Sequence, residues 1–179
     1  MKNNTFQFNS HILAAKIKMC VYGSILVSSL VSPMAQAADF SSSYQAYQQA
    51  VAAKDVEQTL VHAQQAYDLG KVSFGENHID TAKLLMNLAN AQRDSGENLL
   101  ASQNYDKVLT RYLAHYGDDS IEVLDPMLLA AESTTNDKKS KALFEDAIEV
   151  AQSLNQPLVL AEVYSAAFKH LYKTPLYNN

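Results

Sequence analysis

Acidic residues are missing before Asp39, and cysteine occurs once, at Cys20. Glycine and proline number five and four in 179 residues. Each scarcity excludes something. The apolar stretch Met19–Val31 spans 13 residues and contains Ser24, Ser28 and Ser29, against the roughly 20 apolar residues needed to cross a bilayer. A permanent transmembrane helix is therefore disfavoured. Lys2, Lys16 and Lys18 precede the stretch, while Pro33 and the small-residue triplet Ala35-Gln36-Ala37 follow it. That order is the build of a secretory signal with cleavage between Ala37 and Ala38, an uncleaved anchor being the competing reading. Cleavage would remove Cys20, leaving neither a disulfide nor a thiol nucleophile. Lipid attachment at Cys20 is disfavoured, because Ile17-Lys18-Met19 before it lacks small residues and carries a charge. All 19 acids would stay while 3 of the 14 bases leave, giving a mature net charge of −8. An acidic surface argues against nucleic acid and anionic membrane as partners. The few glycines and prolines suit one domain, with a signal peptide over 1–37, a helical domain over 38–172 and a tail over 173–179.

What is present is a repeat. Gly75-Glu76-Asn77-His78-Ile79-Asp80 is echoed by Gly117-Asp118-Asp119-Ser120-Ile121-Glu122, 42 residues later. The same offset takes Thr59, Ala63 and Ala66 onto Ala101, Tyr105 and Val108, which recur 39 residues on as Ser140, Phe144 and Ala147. The three missing residues fall in a polar turn, Asn136-Asp137, where length can change without disturbing packing. Within each unit apolar residues recur at three and four, so each reads as two helices. The stripes are Phe40, Tyr44, Tyr47 and Val51, then Val56, Leu60, Ala63 and Tyr67 in the first unit. They are Leu84, Leu85, Leu88 and Ala89, then Leu100, Ala101, Tyr105, Val108, Leu109 and Tyr112 in the second. The third has Met127, Leu128 and Ala131, then Leu143, Phe144, Ala147, Ile148 and Ala151. A further helix over 157–172 carries Leu160, Tyr164, Ala167 and Leu171. Asp80 and Ser120 stand where helix N-caps are wanted. Pro126 predicts a kink or a fresh start at Asp125-Pro126, since proline removes a backbone donor and crowds the preceding turn.

Leu85, Leu88 and Ala89, followed by Ala101, Tyr105 and Val108, resemble the tetratricopeptide repeat: large, Leu and small on one helix, then small, aromatic and small on the next. Two departures stand out: Gln92 replaces the usual Tyr, and the period is 42 where the common form has about 34. The long period and the Gly-x-x-His loop at Gly75–His78 are similar to the kinesin light chain subgroup, over residues 40 to 155. The resemblance implies an all-α fold, a right-handed superhelix of about three helix hairpins plus a C-terminal helix. It also implies a concave face built by the first helices, where partner peptides lie. By matching positions that face presents Tyr44, Gln48 and Val51; Lys83, Met86, Asn87, Asn90 and Arg93; then Leu128 and Glu132. Asn87 matches the position whose amide holds a peptide backbone, a task suited to a group that both donates and accepts.

Catalytic constellations of useful specificity are not found. His62, His78, His115 and His170 are scattered without metal-ligand spacing, and His11 lies in the signal. Asp118-Asp119-Ser120-Ile121-Glu122 lacks the spacing of a calcium loop. No phosphate loop or Gly-x-Ser-x-Gly elbow occurs, and Lys138-Lys139-Ser140-Lys141 is too short to bind nucleic acid alone. The expectation is an exported adaptor, periplasmic or secreted, that is not an enzyme, needs no cofactor or metal, and holds a protein or peptide partner. Lys83 and Arg93 offer cations, but unit three offers Glu132, which favours an internal mixed segment over an acidic terminus as ligand. The competing expectation is the leading repeat array of a longer envelope machine, loosely similar to those ahead of TonB-type energy transducers.

Overall fold

The structure, a computed structural model, describes residues 33–172, with side chains from Phe40 onward. Residues 1–32, which hold Cys20 and the Met19–Val31 stretch of the expected signal, and residues 173–179 lie outside the described residues. The unit detailed here begins at Ala37. Among the described residues there are seven α-helices, one 3-10 turn and no strand. The helices are α1 (Pro33–Ala53), α2 (Val56–Phe74), α3 (Ile79–Asp94), α4 (Asn98–Tyr116), α5 (Leu124–Ser133), α6 (Asp137–Ser153) and α7 (Pro157–Leu171), with the 3-10 turn at Ile121–Val123. Each break falls at a polar or glycine-containing junction, among them the two copies of the repeated loop at 75–78 and 117–120 and the polar turn at Asn136. No described helix is long and apolar enough to cross a membrane.

The 42-residue echo reappears in the backbone. Gly75 and Gly117 have φ of 95° and 86° with ψ of 154° and 170°, a region essentially reserved for glycine. Their amides donate to the carbonyls of Lys71 and Leu113, closing α2 and α4 in the same way. Three residues after each glycine a side chain caps the next helix: His78 Nδ1 accepts from the Asp80 amide, and Ser120 Oγ from the Glu122 amide. This corrects the sequence assignment at Asp80. The cap is His78, and Asp80 sits inside the first turn, where its charge suits the positive end of the helix. After Ser120 the copies diverge. Pro126 is the third residue of α5, a position whose amide has no intrahelical partner in any case. A short 3-10 turn precedes it, and the α-helix restarts at Leu124.

Packing runs between sequence neighbours: α2 on α3, α3 on α4, α4 on α5, α5 on α6 and α6 on α7, with a lesser contact of α5 with α7. The core is densest at α3 and α4, where Leu85, Leu88, Ala89, Ala101, Tyr105 and Val108 are all buried. Alanine at 89 and 101 lets the helix axes approach while Tyr105 fills the space beside them. Gly70 serves the same end between α2 and α3, since Leu84 occupies the room a Cβ would need. Gln92 is buried, and its Oε1 accepts from Asn104 Nδ2 at 2.8 Å. A second cluster joins Ala131, Phe144 and Ala167 across α5, α6 and α7. Lys139 on α6 reaches Asp106 on α4 at 2.6 Å, and Arg111 on α4 pairs with Glu76 in the loop before α3.

Some stripe residues are exposed. Val51, Val56, Leu100, Tyr164 and Leu171 all lie on the surface. On α7 the buried residues are Val163 and Ala167, not the Tyr164 and Leu171 of the expected stripe. Helical spacing identifies an apolar face, but burial requires a neighbour that extends over it.

Candidate functional site

Five of the sequence-predicted residues, Tyr44, Lys83, Asn87, Arg93 and Glu132, line two surface hollows that share no lining residue. The first, of about 260 Å³, is lined by Phe40 and Tyr44 of α1, Phe74 at the end of α2, and Asp80, Lys83, Leu84 and Asn87 of α3. Its wall is aromatic: Phe40 meets Phe74 edge-on at 5.2 Å and lies parallel to Tyr44 at 6.2 Å. Edge-to-face contacts of this kind are favoured by the ring quadrupole, so the wall is held by its own members. Lys83 Nζ donates to Asp80 Oδ1 at 3.1 Å, and this hydrogen bond to the carboxylate raises the lysine pKa above its ordinary value. Asn87 is half-buried, and its side-chain amide takes no hydrogen-bond partner among the described residues. Three predicted residues, Tyr44 of α1 with Lys83 and Asn87 of α3, therefore border one hollow.

The second hollow, of about 360 Å³, is lined by Arg93 of α3, Asn98 and Ala101 of α4, Glu132 and Ser133 of α5, and Ala166, Lys169 and His170 of α7. It contains Arg93 and Glu132 of the predicted set. Arg93 Nε reaches Asp94 Oδ1 at 3.2 Å, which leaves its two terminal nitrogens without a partner among the described residues. Lys169 is exposed and has no ion-pair partner among the described residues. His170 lies against the Phe144 ring at 5.4 Å.

The remaining predicted residues border neither hollow. Gln48 is exposed on α1, and Met86 packs against the core. Asn90 is half-buried, and its Oδ1 accepts the Tyr105 hydroxyl at 2.7 Å, so half of its amide serves the fold. Burial pushes the Tyr105 phenol up to about 12. Phe74, Lys169 and His170 were missed by the sequence reading. Phe74 ends a second helix, outside the positions assigned to the groove, and Lys169-His170 belongs to a helix that was read only for its apolar spacing. On α4, outside both hollows, Arg111 pairs with Glu76, and Lys107 Nζ lies 3.2 Å from Asn104 Oδ1.

No protein-family model matches the chain, and no curated protein matches it either.

Proposed function

We propose that this chain is an exported adaptor of the tetratricopeptide type, a right-handed superhelix that binds a protein segment rather than transforming a substrate. The observation that carries the reading is the hollow shared by Tyr44, Lys83 and Asn87. It joins first helices of adjacent units, combines an aromatic wall with a polar amide, and keeps that amide without an internal partner. An extended peptide laid there meets a donor and acceptor in Asn87 and apolar surface from Phe40, Tyr44 and Phe74. Neighbour-to-neighbour packing and the recurring glycine-to-cap geometry at 75–80 and 117–122 support the repeat assignment. Export rests on the order of charged, apolar and small residues ahead of Ala38. No cofactor or metal enters this reading.

Capture from an envelope extract with the full chain as bait tests it. Asn87→Ala is expected to weaken retention of the captured protein by about 1–3 kcal/mol, the cost of unpaired polar groups on the partner. Lys107→Glu on α4, outside that hollow, should leave retention unchanged. If Lys107→Glu abolishes capture and Asn87→Ala does not, the groove assignment is wrong. N-terminal sequencing tests export: a mature start near Ala38 is expected, and a chain keeping Met19–Val31 would refute cleavage.

One observation favours a second reading, a repeat array within a longer envelope machine. α7 exposes Leu158, Tyr164, Phe168 and Leu171, apolar surface on which a following helix would pack in an extended solenoid.

A further inference from the structure

We infer that the hollow between α3, α4, α5 and α7 is a binding site for an oxyanion, a carboxylate or phosphate group. The case starts from charge. The chain carries a net −5, yet this hollow brings together Arg93, Lys169 and His170, faced by the lining carboxylate Glu132 and by Asp94, which pairs with Arg93 Nε just outside the lining. These bases come from two helices far apart in sequence, α3 and α7, so the concentration is a product of folding. The availability of the donors is the second part of the case. Arg93 uses Nε on Asp94 and keeps its terminal nitrogens, the fork that matches a carboxylate or phosphate, unengaged. Lys169 has no ion-pair partner among the described residues. Asn98 adds an amide donor at the rim, and the small side chain of Ala101 leaves the floor open.

Glu132 sets the selectivity. It bears no hydrogen bond or ion pair among the described residues, and it faces the same hollow as Arg93 and Lys169. Its charge opposes a bound anion and so weakens one that lacks the reach to engage both cations. The site does not depend on the partner-binding reading, because it is tested without a partner.

The test is a titration of the full chain followed by the amide resonances of Ala101, Ser133 and Ala166. The probes are inorganic phosphate and a short end-blocked glutamate peptide, with sodium chloride at matched ionic strength as the control. Saturable shifts are expected with at least one probe. A response to phosphate alone identifies a free oxyanion as the ligand, and a response to the peptide alone or more strongly identifies an acidic side chain; both support the site. Arg93→Gln and Lys169→Gln should each weaken binding about tenfold or more, the effect of losing a charge-assisted hydrogen bond. Glu132→Gln should tighten it about fivefold, the effect of removing one surface charge at close range. Lys169 is exposed on the last helix, so its variant is expected to keep the parent helical content, read by circular dichroism. Shifts that fail to saturate with both probes, or that persist unchanged in Arg93→Gln and Lys169→Gln, overturn the proposal.

Discussion

Removing the carbonyl that receives the Tyr105 hydroxyl should cost more than removing the hydroxyl itself. Tyr105 has no exposed surface, whereas Asn90 is half-buried. In Tyr105→Phe the stranded group is the Asn90 carbonyl, which can turn to water, so the loss is that of one neutral hydrogen bond, about 1 kcal/mol. In Asn90→Ala the stranded group is the phenol O–H inside the core, and desolvation without a partner raises the cost to about 1–3 kcal/mol. The double variant should unfold close to Tyr105→Phe, because once the hydroxyl is gone the Asn90 amide has nothing left to satisfy. Urea unfolding of the four proteins yields the coupling energy, expected to match the Asn90→Ala cost at about 1–3 kcal/mol. The slope of free energy against denaturant should stay constant across the set, so that the midpoints alone carry the comparison. Additive losses, or an Asn90→Ala cost below that of Tyr105→Phe, would refute the inward role of Asn90. The result also bears on the groove: an Asn90 that stabilises the fold is a poor probe of partner binding, and Asn87 is the cleaner one.

Gly117→Ala should destabilise by about 1–3 kcal/mol through backbone strain alone, since no atom lies near the added Cβ; a neutral thermal-melting result would contradict the positive-φ turn. Asp55 Oδ1 caps α2 through the Gln58 amide at 3.0 Å, so Asp55→Ala is expected to cost about 0.5–2 kcal/mol, measurable as a lowered urea midpoint. Burial holds the Tyr105 pKa at about 12, above its unfolded value of about 10. The neutral phenol thus contributes stability in full below pH about 10, and that contribution is lost as pH rises toward 12. Tyrosinate absorbance titrations of the parent and of Tyr105→Phe should differ by one late-titrating group, and a difference confined to the ordinary tyrosine range would exclude the shift.

The helical class and nearly every helix boundary could be read from the residues, because the signals are local. Gly75 and Gly117 end helices through a backbone geometry that belongs to glycine, and apolar residues at three and four define which helix face is sticky. The pairing of Leu88 and Ala89 with Ala101 and Tyr105 was also legible, since a repeat displays the same contact more than once. Even the misplaced cap at α3 was an error of two residues: His78 does at the start of that helix what Ser120 does at its copy.

The sequence by itself therefore determined the repeat length, the small-residue contacts and which residues of α1, α3 and α5 were candidates for a proposed groove. Tertiary structure alone decided which of those residues remain available. Met86 went to the core, the Asn90 carbonyl went to Tyr105, and Asn87 one helical turn back was left open. It also decided that Arg93 and Lys169, far apart along the chain, border one hollow, and that Tyr164 and Leu171 stay exposed on α7. The physical reason is range. Turn geometry and helix periodicity are set by interactions within a few residues, whereas burial, hydrogen-bond commitment and the summed charge of a hollow depend on which distant helix lies alongside, and no spacing along a single segment records that.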